Sequence, residues 1–335
     1  MIEEKLEIVL ITYNRDKFLE NTFKQFIDSP FFRCKITVLD NCSTDKTSEL
    51  CANYQKIFPN MQIKKHKRNI GGNPNILRAV ETSNSIYTWI IGDDDSYNFC
   101  DCNDVIEAIE DENVDLISLG SPGQYDWERG MNTASNELIK KGSKYFHVFT
   151  FVSGFIFKTE LFDSNCVHEG YYNAHNLYPH FPFIVKSVEK NFTIYISNEE
   201  IIVRGIENTS GFSGLFWLKS WLKSCSKIKD KKIRRKTIYE SPFKQSFLKR
   251  VIVSIIMDKV SKKDNEDLIE FISAFVYAFG WSWDSFLLII IIPVVIIPSF
   301  IYKILVRSYR YFKYDILKRE VPKSIKDQDS DKFRT

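Results

Sequence analysis

The first ninety residues alternate short apolar runs with stretches of helical periodicity. Leu6-Glu7-Ile8-Val9-Leu10-Ile11 is almost continuously apolar, as expected for a strand covered on both faces, and it ends in Thr12-Tyr13-Asn14-Arg15. Asp16 then stands as a candidate cap for a helix in which Phe18, Leu19, Thr22, Phe23, Phe26 and Ile27 recur at helical spacing until Ser29-Pro30. Lys35 to Leu39 reads as a second strand, closed by Asp40-Asn41-Cys42-Ser43-Thr44-Asp45 and followed by a helix to about Phe58. Met61 to His66 is a weaker third strand, leading into Arg68-Asn69-Ile70-Gly71-Gly72-Asn73-Pro74 and a helix through Ala79 and Val80. The fourth, Tyr87 to Ile91, stops at Gly92 and three consecutive acids, Asp93-Asp94-Asp95. Four strand-to-helix units in series predict an α/β fold with a mostly parallel sheet, because parallel neighbours need crossovers and helices supply them.

The pattern then changes. Residues 120–145 are polar, with Gly120, Gly123, Gly130 and Gly142 around Trp127, and read as a mobile loop over a ligand or as an ordinary surface excursion. Beyond about Arg204, helical apolar periodicity takes over. Phe243, Phe247, Val251, Ile252 and Ile255 form one helix face opposite Lys244, Lys249, Arg250 and Asp258, suited to packing on a domain or lying on a bilayer. Gly211 to Lys223 interleaves Phe212, Phe216, Trp217 and Trp221 with lysines, a mixture that fits lipid headgroups or a packed aromatic stripe. Phe286 to Tyr302 carries no charge, and the tail after Lys318 is polar and expected to be disordered. The division expected is a catalytic domain over 1–205, a helical membrane-associating region over 206–318 and a polar tail over 319–335.

Composition narrows the classes. Among 335 residues, 46 basic and 43 acidic side chains nearly cancel, so whole-chain charge points to no nucleic-acid partner, although basic residues cluster around Lys219–Lys249 and Arg307–Arg319. Seven cysteines without a zinc spacing, behind a start with no secretory signal, fit structural thiols in a reducing compartment.

In open parallel sheets ligands bind beyond the carboxyl ends of the strands, and all four strands end there in polar, ligand-capable clusters. Each cluster alone is compatible with turn or cap chemistry, which is the better account of Ser43 and Thr44. Together they suit a nucleotide diphosphate. Asp40 can accept hydrogens of a base, Gly71-Gly72 permits close backbone approach, and adjacent carboxylates suit Mg²⁺ or Mn²⁺ bridging phosphate oxygens. Gly71-Gly72 matches neither the dinucleotide-binding pattern nor a P-loop.

These residues resemble a family 2 glycosyltransferase of the GT-A fold over about 5–205, through Ile11-Thr12-Tyr13-Asn14-Arg15, Val38 to Asp45, Asn69-Ile70-Gly71-Gly72-Asn73 and Gly92-Asp93-Asp94-Asp95. The resemblance implies a nucleotide-diphosphate sugar donor contacted by Thr12, Asn14, Arg15 and Asp40. Tyr13, Asn41, Asn69, Gly71, Gly72, Asn73 and Asp93 complete the donor motifs. Asp94 and Asp95 would hold Mn²⁺ or Mg²⁺. Gly92 departs from the family by standing where many members have the first acid. The Gly-Asp-Asp-Asp form is similar to transferases of O-antigen sugars such as abequose. The resemblance further implies inversion by one in-line displacement, with a glycan or lipid-linked glycan as acceptor. Where the family carries a catalytic acid, Leu177-Tyr178-Pro179-His180-Phe181-Pro182-Phe183 has none. His180 is therefore the candidate base, with Glu169, His175 and Glu189 as substitutes and a packed helix-start histidine as the alternative.

Two other readings stay open: a sugar nucleotidyltransferase, and an inactive nucleotide-sugar-binding or scaffold protein at the membrane. For location, Arg307, Arg310, Lys313, Lys318 and Arg319 follow the apolar segment, and Pro293 and Pro298 interrupt it. A single span would export the catalytic domain, so the expectation is a monotopic or re-entrant association with membrane lipid through residues 243–313. That places the protein at the cytoplasmic face of the inner membrane, with a two-pass hairpin as runner-up and a soluble helical core as the remaining alternative.

Overall fold

The computed structural model describes residues 1–120, 127–142, 144–203, 214–239, 247–261, 266–280 and 282–312. Its strands are β1 (Leu6–Thr12), β2 (Lys35–Asp40), β3 (Met61–Lys65), β4 (Tyr87–Ile91), β5 (Ser96–Tyr97), β6 (Leu116–Ser118), β7 (Met131–Ala134), β8 (Phe155–Lys158), β9 (Thr193–Ile196) and β10 (Ile202–Val203). Eight of them form one sheet in the order β3-β2-β1-β4-β8-β6-β9-β7, and β5 pairs with β10 apart from it. The β1–β2, β1–β4, β2–β3 and β6–β9 pairs are parallel; β4–β8, β6–β8 and β7–β9 are antiparallel. This is the GT-A architecture, a mostly parallel sheet flanked by helices and followed by a helical C-terminal region.

The four expected strands form β1 to β4, and the helices between them are Asp16–Ile27, Thr47–Tyr54 and Gly72–Thr82. Leu19, Phe23 and Phe26 of the first helix share one buried cluster with Trp89 of β4 and Tyr97 of β5, and the Phe26 ring meets both of the latter. Glu7, fully buried in β1, is held by Lys35, Thr37 and the backbone of Asn84. Those donors outweigh the cost of burial and keep its carboxyl below the usual range. Asp16 does not cap its own helix: it is the first helical residue, and its N–H is accepted by Asp45 at 3.3 Å.

The segment expected as a mobile loop is largely built structure. Within 127–142 lie β7, paired with β9, and the helix Ser135–Lys141; positions 121–126 fall outside the described residues. Trp127 is buried, its ring 6.2 Å from Tyr145 and 6.1 Å from Phe149. Polarity hid an edge strand whose outer face is wet.

The chain forms two compact units, Met1–Gly211 with Ser220–Phe247, and Phe212–Lys219 with Leu248–Thr335. In the first, Trp221 is buried against His147, Tyr178 and Phe181, so at that position the aromatic stripe is core. In the second, Val251 and Ile255 are fully buried, whereas Asp258, read as part of a polar face, is buried and accepts the Leu215 N–H at 3.1 Å. Phe243 and Lys244 lie outside the described residues. No single helix is long and apolar enough to cross a membrane among the described residues, but Leu287–Ile296 and Ser299–Tyr309 make an apolar pair bent by 92°.

Candidate active site

The sheet order β3-β2-β1-β4 reverses direction at β1, so β1 and β4 diverge in connectivity and open a crevice at their carboxyl ends. Thr12 closes β1 and Asp93 follows β4 by two residues; Thr12 Oγ1 donates to Asp93 Oδ2 at 2.6 Å. Arg15 Nη1 stands 2.6 Å from Asp94 Oδ2 and 3.3 Å from Asp93 Oδ1. Thr22 Oγ1 donates to the Asp93 carbonyl at 3.0 Å from the neighbouring helix. Burial pushes the Asp93 carboxyl up to about 6, against Thr12 and Arg15, which draw it down.

Gly92 shapes the other side. A Cβ there would stand 3.1 Å from Asp94 Oδ1 and 3.6 Å from Asp95 Oδ2, so both carboxylates turn back over the glycine, and a side chain would crowd them. Its N–H donates to Ser153 Oγ at 3.2 Å, and the Ser153 carbonyl accepts the Trp89 indole N–H at 2.8 Å. Asp95 is buried beside Tyr97, whose phenol is held well above its ordinary range by burial and then by Asp95, Asp94 and Asp93.

A second cluster joins the ends of β1 and β2. Asn14 takes a left-handed φ of 52°, which lets its N–H reach Ser43 Oγ at 2.9 Å while its Oδ1 accepts the Thr44 N–H at 2.7 Å. Asp40 is 1% exposed, and its carboxylate accepts the Ser43 N–H at 2.8 Å and faces Lys65 at 3.4 Å. Its bond to the Ser43 N–H also organises the loop that follows β2. Ser43 and Thr44 act as turn residues, as their types suggest. Tyr13, 41% exposed, is the open member of the motif.

The third cluster reaches β3. Asn41 Nδ2 donates to Asn69 Oδ1 at 2.9 Å and to the Gly71 carbonyl at 3.2 Å, and Asn41 Oδ1 accepts the Ile70 N–H. Gly71 has φ 88°, a conformation that favours glycine, and Gly72 opens the helix Gly72–Thr82. Asn73 Nδ2 donates to the carbonyls of Ala174 and Asn176 at 2.9 and 2.6 Å, fastening the 173–176 segment to this loop. The helix Ser164–Tyr172 comes close enough for this through Gly170, where a Cβ would stand 2.6 Å from Leu77 Cδ2 and 2.7 Å from the Pro179 carbonyl. All the expected donor and metal residues thus fall in three interlocked loops around one end of the sheet.

His180 is a correction. It is 2% exposed, its Nε2–H donates to the Phe149 carbonyl at 2.9 Å, its Nδ1 is buried without a partner, and its ring lies 6.0 Å from Phe155. Burial pushes its pKa down to about 4, so the ring is neutral and offers no nitrogen to an acceptor. Of the substitutes, Glu169 is paired with Lys227 and Glu189 with Lys229. His175 is exposed, with Nε2 3.0 Å from Asn176 Nδ2. Replacing His180 by Ala is expected to cost about 2 kcal/mol of stability through a lost hydrogen bond and a cavity. It should leave kcat near wild type, against the about 10²–10⁴-fold loss of a general base. The wild type has a pH signature too. Its histidine contribution is intact above about 6.5 and falls as pH drops to about 4, because only the unfolded ring protonates there; the loss is on the order of 3 kcal/mol. Urea midpoints against pH for wild type and His180→Gln check this, the variant lacking that slope.

Thr22 and Ser153 are site residues that the sequence motifs do not mark. Thr22 had a signal, a hydroxyl on the buried face of an apolar helix; Ser153 sits in an apolar segment and had none. Among the described residues no group of three or more His, Cys, Asp or Glu side chains could hold a metal ion. Asp94 and Asp95 remain as a converging pair, and Mg²⁺ sites commonly use one or two carboxylates completed by substrate phosphates and water.

Residues 7–192 match the family model described as Glycosyl transferase family 2. Abequosyltransferase RfbV of Salmonella typhimurium is 27% identical over 220 residues, 58% of this chain and 65% of that protein, so the chain spans just under two thirds of this curated relative. Among solved structures, S. aureus TarS 1-349 matches with TM-score 0.57 at 15% identity, covering 92% of this chain and 93% of that one. The same protein in complex with UDP-GlcNAc gives TM-score 0.57 and 15% identity over 91% of both chains. The longer TarS chain is covered over 54% of its length, by 87% of this chain, with TM-score 0.56 and 15% identity.

Proposed function

The chain belongs to glycosyl transferase family 2, and from that premise we propose that it moves a sugar from a nucleotide-diphosphate donor to a hydroxyl of a glycan acceptor. The observation that carries this is the junction of Thr12, Arg15, Asp93 and Asp94 at the switch point between β1 and β4. It sets a guanidinium beside carboxylates where a diphosphate would need both. Asp94 and Asp95 would hold the cation. A Mg²⁺ or Mn²⁺ bound there supplies charge that stabilises the departing diphosphate. Thr12 and Thr22 hold Asp93 at its side chain and its carbonyl, which fixes the turn from which Asp94 and Asp95 project. The acceptor oxygen bonds to the anomeric carbon as the bond to the departing nucleoside diphosphate breaks, which inverts that carbon, and the hydroxyl proton passes to water. The name of the abequosyltransferase relative supports a deoxyhexose-type donor and an acceptor in cell-surface polysaccharide synthesis.

Incubation with UDP-, GDP- and CDP-sugars and Mn²⁺, followed by release of the nucleoside diphosphate, tests the reading. One donor class is expected to be consumed, with loss of turnover in EDTA; absence of binding across the panel would overturn it. The burial of His180 and the lack of an acid at the start of the helix Phe181–Glu189 favour a second reading, a nucleotide-sugar-binding protein without transfer. It predicts binding without turnover.

We also propose a monotopic or re-entrant association with the cytoplasmic leaflet and a lipid-linked acceptor. The support is the bent apolar pair, on which Ile289, Ile296, Phe300, Ile304 and Leu305 are exposed.

A further inference from the structure

A chain of hydrogen bonds ties residues 173–176 to the donor loops. The Asn41 N–H donates to the Thr12 carbonyl at 3.0 Å, the Asn41 carboxamide holds the Gly71 carbonyl, and Asn73, two residues on, spends its Nδ2 on the carbonyls of Ala174 and Asn176. Those two carbonyls flank His175. The segment is a turn fixed at both ends. Asn173 caps the helix Ser164–Tyr172, with its N–H on the Glu169 and Gly170 carbonyls, and the Asn176 N–H closes back on the Asn173 carbonyl at 2.9 Å. His175 is a corner residue of this turn and is exposed. Asn176, behind it, is 2% exposed. Its carboxamide meets His175 Nε2 at 3.0 Å through Nδ2, while Oδ1 is buried without a partner.

We propose that His175, oriented by Asn176, is the catalytic base that takes the acceptor's hydroxyl proton. The inference rests on the transfer reading, in which each sugar moved releases one such proton. The other side chains weighed for the task are engaged: His180 is buried on the Phe149 carbonyl, and Glu169 and Glu189 are paired with lysines. A neutral imidazole keeps its lone pair on the nitrogen opposite its N–H, so the partner of one nitrogen decides the role of the other. Turned over, the Asn176 carboxamide sets its unpartnered Oδ1 on Nε2–H and leaves the Nδ1 lone pair for the hydroxyl. The hydroxyl O–H bond breaks toward Nδ1 as the oxygen bonds to the anomeric carbon, and the nucleoside diphosphate leaves with the bonding pair. Oδ1 then accepts from the imidazolium, which passes its proton to water and regenerates the base.

Full-length wild type, His175→Ala and His175→Gln are compared on the UDP-, GDP- or CDP-sugar that the wild type consumes with Mn²⁺, water serving as the acceptor. Release of nucleoside diphosphate gives kcat and KM, and calorimetric titration with the donor gives its Kd. Both variants are expected to lose about 10²–10⁴-fold in kcat with the donor Kd unchanged. Imidazole added to the buffer should restore part of the rate in His175→Ala, where it has room to enter, and none in His175→Gln. A purely structural histidine would show neither the loss in His175→Gln, which keeps a side-chain partner for Asn176, nor the rescue. Near-normal kcat in both variants overturns the inference and leaves the transfer reading intact. A weakened donor Kd at normal kcat makes His175 a donor ligand and likewise overturns it. Donor binding without turnover in the wild type overturns the transfer reading and the inference with it.

Discussion

Asp94→Asn is expected to lower the transfer rate by about 10²–10³-fold, the loss seen when one electrostatic stabiliser of a developing negative charge is removed. The substitution keeps shape and hydrogen-bonding capacity but removes one of the two carboxylates that turn over Gly92. Its structural cost should be small. The Arg15 guanidinium is 39% exposed and retains Asp93 at 3.3 Å, and partly exposed ion pairs contribute about 0–1 kcal/mol. Nucleoside diphosphate release under saturating donor, with a Mn²⁺ titration and an unfolding curve on the same preparation, separates the effects. A weakened Mn²⁺ response with an unchanged midpoint is the expected pattern. Normal turnover in the variant, or wild-type turnover that survives EDTA, would remove the cation from the mechanism.

Much of this site was readable because strands β1 to β4 are apolar runs that end abruptly in polar residues, and parallel strands put those ends on one side. The other half of the sheet was harder. β6, β7, β8 and β9 are three or four residues long and are made by pairings between residues far apart in sequence, so no local period announces them. Side-chain roles were less legible than positions. Asp40 and Asp94 both follow apolar strands, yet one is buried under its loop and the other faces Arg15; only the loop's hydrogen bonds decide which. His180 looked like a base because it precedes a helix where the family keeps an acid. Its two neighbours, Phe181 and Pro179, are buried with it, and rotation into the core cannot be read from sequence order.

Replacing Ile296 and Phe300 together with Asp is expected to move the protein from the membrane pellet to the supernatant. Both side chains are exposed, at 72% and 61%, so the change should not disturb packing. Each loses about 1.5–3 kcal/mol of apolar transfer, which together lowers partitioning about 10²–10⁴-fold. The bend between them explains why these positions matter. Leu287–Ile296 has ten residues and Ser299–Arg310 has twelve, about 15 and 18 Å of helix, each far short of a hydrocarbon core of about 30 Å. The break falls at Ile297-Pro298, while Pro293 is accommodated inside the first helix. Carbonyls freed there are taken up within the same unit: Lys259 donates to Val295 and Ile297, and the Tyr302 hydroxyl to Val294 at 2.7 Å. In one straight helix the Ser299 and Ile301 N–H groups would take the Val295 and Ile297 carbonyls, but Pro298 has no N–H to offer Val294, and a carbonyl left unpaired in a medium without water favours the bent form. A cysteine introduced at Ser299 should therefore stay unreactive toward a membrane-impermeant reagent applied outside intact cells. Labelling from outside would establish a spanning path in place of the monotopic one.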